Sequence, residues 1–177
     1  MSKSADFLVE IGTEELPPKA LRSLMVAFGD SLAAGIDEAR LSHGDVHTYA
    51  SPRRLAVIVD KLAGSQDDRA VEQKGPPVSV AFDDNNEPTP AATAFAARCG
   101  VAVDALERVE TNKGEWLIYK SVEHGKSAAE LMPDIIERAL AALPIPRRMR
   151  WGAGDAEFVR PVHWIVLLHG DDVIDAS

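Results

Sequence analysis

Three carboxylates lie close together near the start of the chain: Glu10, Glu14 and Glu15. Paired carboxylates at a strand–helix junction can serve as general acid and base. The plainer reading is that Glu14 and Glu15 precede a helix start and favour its positive end. Other chemistry is harder to find. His43 and His47 are four apart, but Gly44 lies between them and no glutamate follows His43. Two imidazoles must share one helix face to bind zinc in that way. The acidic doublets Asp67-Asp68, Asp83-Asp84 and Asp171-Asp172 could touch Mg²⁺, but they sit in sequence that reads as solvated turns. Cys99 lies near a helix C-terminus and reads as a packing residue. No Gly-x-Ser-x-Gly elbow, Walker A loop or Gly-x-Gly-x-x-Gly turn is present. The residues alone assign no catalytic group and no metal ligand.

Basic residues offer a second possibility. Arg53-Arg54, Lys74, Arg98 and the stretch from Arg147 to Arg160 are the basic elements. From Arg147 to His163 four arginines face Asp155 and Glu157, a local charge of +2. Trp151 and Trp164 are interleaved with them. Arginine beside exposed aromatics suits phosphate contact and base stacking. The alternative is a solvated basic edge with both tryptophans in the core.

The elements that position these groups follow from periodicity. Asp6 to Gly12 reads as a strand buried on both faces. Pro17 and Pro18 fit a helix start, and Leu21, Leu24, Met25, Phe28, Leu32 and Ile36 then recur at helical spacing, with Gly44 as a stop. Arg53 to Val59 is expected as a central strand. Gly64 to Arg69 reads as a loop, Lys74-Gly75-Pro76-Pro77 as a turn, and Val78 to Phe82 as a short strand. Thr89 as N-cap and Pro90 open an alanine-rich helix that ends at Gly100. Strands on either side of Asn112-Lys113-Gly114 form a hairpin. Ser127 to Glu130 is a capping box for a helix closed by Pro144 and Pro146. Gly152-Ala153-Gly154 is a flexible turn, and Val162 to His169 is another buried strand. Val173-Ile174 begins a further strand, so the chain reads as the N-terminal piece of a longer protein. This order predicts an α+β fold: a mixed, largely antiparallel sheet with about three helices packed on it.

The chain has 177 residues, enough for one domain or two small subdomains with a boundary near 64–76. An apolar fraction of 46% and a charged fraction of 27% are those of a globular chain. A net charge of −9 argues against non-specific nucleic-acid binding while leaving room for a local basic face. One cysteine excludes an internal disulfide. The longest apolar run, 165–168, is too short to span a bilayer, and the N-terminus has no secretory pattern. A cytoplasmic protein without membrane contact is expected.

Four segments in order resemble one family. They are Phe7 to Pro18, Ser51 to Val57, Lys74 to Pro77, and Met149 to Gly152 followed by Phe158 to Trp164. The stretch from Ala94 to Val101 joins them, and the resemblance is to the N-terminal part of the bacterial glycyl-tRNA synthetase beta chain. It implies an alpha2beta2 heterotetramer in which the alpha chain carries the class II catalytic core, with ATP and Mg²⁺. It implies that the beta chain supports ATP-dependent glycylation of tRNA(Gly). The family's HD-like and anticodon-binding domains lie beyond this chain. Residues 1–177 are then a module without its own active site or cofactor, acting in tRNA positioning and subunit assembly. The alternative is a purely structural module. Arg53, Arg54, Arg150 and Arg160 fall on the family-like motifs and are the candidates for RNA phosphate contact. Arg160 and His163 could instead hold their strand by internal hydrogen bonds.

Overall fold

The computed structural model describes residues 3–83, 85–112, 114–145, 147–150 and 157–175. The expectations for Asp84, Lys113, Pro146, Trp151, Gly152-Ala153-Gly154 and Asp155 lie outside the described residues. The chain forms two compact units. One combines residues 1–67 with 125–177, and the other is the continuous segment 68–124.

The larger unit is built on a five-stranded sheet. Its strands are β1 (Ala5–Thr13), β2 (Val46–Ser51), β3 (Arg54–Leu62), β9 (Val162–His169) and β10 (Asp172–Val173), in the order β10-β9-β1-β3-β2. β1 is the central strand. Phe7, Val9 and Ile11 alternate inward on it, and Leu55, Val57 and Val59 do so on β3, all fully buried. They pack with helix α1 (Pro18–Glu38) and helix α4 (Ala128–Ala141). α1 contributes Leu24, Phe28, Leu32 and Ile36 from the stripe its spacing predicts, and α4 contributes Met132, Ile135, Ile136 and Ala139. The capping box of α4 is formed: Ser127 Oγ accepts from the Glu130 N–H, and Glu130 Oε2 accepts from the Ser127 N–H. α1 stops at Glu38, short of Gly44, whose N–H donates to Asp60 O at 2.7 Å. A small ribbon, β7 (Met149–Arg150) with β8 (Glu157–Phe158), completes the unit.

The smaller unit has its own sheet in the order β4-β6-β5, from β4 (Arg69–Pro77), β5 (Glu107–Thr111) and β6 (Gly114–Glu123). Helix α3 (Pro90–Cys99) ends at Gly100, as expected. Ala81, Ala92, Phe95, Ala96, Leu106 and Leu117 form its core.

Every described strand pairing is antiparallel, so the fold is α+β. Among the described residues the strands divide among three sheets. Three local expectations need correction. Lys74 to Pro77, expected as a turn, and Arg69, expected at the end of a loop, belong to strand β4, a half-exposed edge with no apolar alternation to reveal it. Val78 to Phe82, expected as a strand, opens with the helical turn α2 (Val78–Ala81). Helical spacing brings Val78, Ala81 and Phe82 onto the core while leaving Val80 exposed, and Pro77 precedes the turn. Thr89 does precede α3, but its hydroxyl donates to Val80 O and Ala81 O instead of accepting from the helix.

Candidate functional site

The carboxylates and arginines that the sequence presents as separate candidates meet at one end of the five-stranded sheet. β1 runs out there at Thr13. β2 and β3 are joined by the two-residue turn Pro52-Arg53, and β9 begins there after Pro161. The three segments are stitched by backbone bonds. The Thr13 N–H donates to Arg53 O at 2.9 Å, the Leu16 N–H to Pro52 O at 2.7 Å, and the Glu14 N–H to Pro161 O at 3.0 Å. Residues 13–16 therefore have little freedom, and their side chains emerge from a fixed backbone.

Glu10 is shared. Its Oε2 accepts from Arg54 Nη1 at 3.5 Å, and its Oε1 accepts from the Trp164 indole N–H at 3.3 Å. The Arg54 guanidinium also lies 5.7 Å from the centre of the Trp164 ring, within cation–π range. Glu15 Oε1 accepts from Arg53 Nη2 at 3.5 Å. His163 Nε2 faces Glu14 Oε1 at 3.0 Å. Arg160 turns inward: its Nε donates to Glu15 O at 3.0 Å, and its Nη1 to Met149 Sδ at 3.2 Å. Arg160 thus ties the approach to β9, the ribbon strand β7 and the segment after β1 together.

Three arginines and three glutamates cancel in formal charge, so the site is not a cationic patch. Its two arginine–glutamate pairs are long, at 3.5 Å, and lie at the surface, each worth under about 1 kcal/mol. They orient side chains more than they stabilise the fold. Arg53 and Arg54 keep 64% and 57% of their side-chain surface exposed, so both guanidiniums remain accessible. Trp164, also exposed, offers part of its ring beside Arg54. Arg150 lies one residue beyond Met149, opposite Glu157 in the ribbon.

None of the described cavities is lined by Glu10, Glu14 or Glu15. Among the described residues no three His, Cys, Asp or Glu side chains are placed to hold a metal ion. His43 faces Asp37 at 3.2 Å and His47 faces Asp60 at 3.1 Å, each a separate surface pair. Asp68 of the first acidic doublet lies 3.1 Å from His124. Cys99 is half-buried against the smaller core, with Sγ 3.6 Å from Gln73 Oε1. No described helix is long and apolar enough to cross a membrane.

Sequence reasoning weighed the glutamates and the arginines apart. Glu10 and Arg54 are 44 residues apart, and Glu15 and Arg160 are 145 apart, so no local pattern could join them. What the linear sequence did offer was a coincidence of place: Glu10 to Glu15, Arg53-Arg54, and Arg160 to Trp164 all lie on the segments that carry the family resemblance.

Comparison with known proteins agrees with that resemblance. A glycine–tRNA ligase beta subunit from Marinobacter nauticus is 56% identical over 171 residues, which cover 97% of this chain. Beta subunits from an Enterobacter species and from Citrobacter koseri are 55% and 54% identical over the same share. The chain spans about a quarter of the length of these curated relatives, 25% in each case. Residues 7–177 match the family described as glycyl-tRNA synthetase beta subunit, and the chain belongs to that family.

Proposed function

We propose that this chain is a non-catalytic N-terminal part of the beta subunit of glycine-tRNA ligase. It supports ATP-dependent glycylation of tRNA by positioning the tRNA and by assembling with an alpha chain that carries the catalytic core, ATP and Mg²⁺. The observation that carries the non-catalytic reading is the fate of Glu10, Glu14 and Glu15. Each is drawn to an arginine, a histidine or an indole N–H on the surface, and none faces a described cavity. A general acid or base needs a substrate held within hydrogen-bond reach, and among the described residues these three carboxylates line none of the described cavities.

Arg53 and Arg54 are the RNA contacts favoured on exposure. Exchanging a long, exposed carboxylate pair for a phosphate costs little, because such pairs contribute little. Trp164 beside Arg54 supplies a face on which a base can stack. The neighbouring glutamates repel a misplaced phosphate, which suits shape-dependent contact better than non-specific adhesion. Arg160, tied to Glu15 O and Met149, serves as an internal clamp, and Arg150, opposite Glu157 in the ribbon, is the fourth candidate for phosphate contact. Holding the acceptor end in place affects rate through effective molarity, without any bond-making by this chain.

The test is a titration of the chain with tRNA(Gly) and a non-cognate tRNA at several salt concentrations. Salt-sensitive binding with a cognate preference supports tRNA positioning. Absence of binding at low salt removes it and leaves the assembly role.

A further inference from the structure

The smaller unit holds a groove that the site above does not use. It is a cavity of about 420 Å³, open to solvent, between Lys74-Gly75-Pro76 of β4 and one face of α3 formed by Ala91, Ala94, Phe95 and Arg98. Three observations concern its chemistry. The first is charge. Lys74 and Arg98 are the charged residues lining it, and among the described residues neither has a carboxylate within ion-pair distance. This contrasts with Arg53, Arg54 and Arg138, each of which has one. The segment is acidic overall, so two unmatched cations on one cavity stand out.

The second is how the cations are held. Lys74 Nζ lies 3.9 Å from the centre of the Trp116 ring, and the Arg98 guanidinium 5.3 Å from the centre of the Phe95 ring. An aromatic face steadies a cation without neutralising it. The third is the backbone. Lys74 pairs with Ile118 and Pro77 with Trp116, so Gly75 and Pro76 together oppose Leu117 in a bulge. A bulge frees the strand from its ladder and re-aims it, and bulges gather beside binding sites. A β-carbon on residue 75 would come within 2.5 Å of the Phe95 ring, so glycine is what lets β4 close on α3 and form the groove floor.

We propose that this groove is an oxyanion site that takes a phosphate group between Lys74 and Arg98. Its lining face runs from Ala91 to Arg98, about 10 Å along the helix at the usual rise per residue. An open groove of that length suits a nucleic-acid backbone passing through it more than an enclosed mononucleotide. The site is independent of Arg53 and Arg54, and its failure would leave the reading of those residues untouched.

The test is an NMR titration of the chain with inorganic phosphate, then with ATP and with a short single-stranded RNA. Shifts concentrated at the amides of Lys74, Gly75 and residues 91–98 are expected. The Lys74→Gln/Arg98→Gln double variant should weaken binding about tenfold or more, the loss expected on removing charged hydrogen-bond donors. Ala94→Glu, which places a carboxylate on the groove's exposed helical face one turn before Arg98, should weaken it as well by offering that cation an internal partner. Tighter binding of RNA than of ATP assigns a backbone phosphate, and the reverse assigns a nucleotide phosphate. Shifts scattered over other surface cations, or affinities unchanged in both variants, would overturn the proposal.

Discussion

The indole of Trp164 occupies the space that a β-carbon on residue 12 would need. The two residues face each other across the β1–β9 ladder, and Gly12 also faces Arg54 across the β1–β3 ladder. Glycine at this one position lets the ring settle over β1, within reach of Glu10 and under Arg54. Gly12→Ala is therefore expected to displace Trp164, cost about 1–3 kcal/mol through overpacking, and change tryptophan emission. Chemical denaturation followed by fluorescence checks both effects. An unchanged midpoint and spectrum would mean that the ring does not depend on the missing side chain.

Arg160 and Arg53 should separate on mutation. Arg160 donates to a backbone carbonyl and Arg53 to a side-chain carboxylate. Arg160→Gln is expected to lower stability by about 1 kcal/mol, the scale of one charge-assisted hydrogen bond discounted for partial exposure. Arg53→Gln should leave stability within about 0.5 kcal/mol, as for most surface substitutions. Thermal unfolding of the two variants side by side makes the comparison.

The α4 capping box gives a pH signature. The Ser127 hydroxyl, and then the Ser127 backbone N–H, hold the Glu130 carboxyl below its ordinary pKa. A carboxylate depressed in the folded state contributes stability above its unfolded pKa, and that contribution is lost as pH falls through the folded value. Helical signal from α4 should weaken on acidification below the usual carboxylate range. Ser127→Ala should destabilise the helix at neutral pH and flatten that part of the acid dependence. A pH titration by circular dichroism of both proteins checks it, with parallel curves as the opposing result.

The core of the larger unit should tolerate truncation poorly at Phe28, which is fully buried in one cluster with the strand residues of β1 and β3 and the α4 side chains. Phe28→Ala is expected to cost about 3–5 kcal/mol. Denaturant unfolding measures it, and a loss below about 1 kcal/mol would mean that the α1–sheet contact is loose.

What the sequence made legible followed strong, local signals. The stripe from Leu21 to Ile36, the alternation around Phe7 to Ile11, the Ser127–Glu130 box and the glycine ending α3 each depend on near neighbours, and each appears in the structure. β4 was hidden because Arg69 to Lys74 carry no apolar alternation, and an edge strand needs little. At Val78 to Phe82 five residues of alternating Val, Ser, Val, Ala and Phe fit a strand and a helical turn alike, and burial of Ala81 goes with the turn. The charge network was beyond local reasoning, since its partners come from three distant segments. The arginines could be named from sequence, but their matching by Glu10 and Glu15 could not.

The central claim, that Arg53 and Arg54 contact tRNA phosphate, is tested most directly by the salt dependence of tRNA(Gly) affinity in the Arg53→Gln/Arg54→Gln variant. Each lost phosphate contact lowers the slope of log affinity against log salt by roughly 0.7–0.9. A variant that binds more weakly at low salt, with a slope shallower by about 1.5, is the predicted result. A slope parallel to that of the unaltered chain would contradict it and leave the two arginines as partners of Glu15 and Glu10 alone.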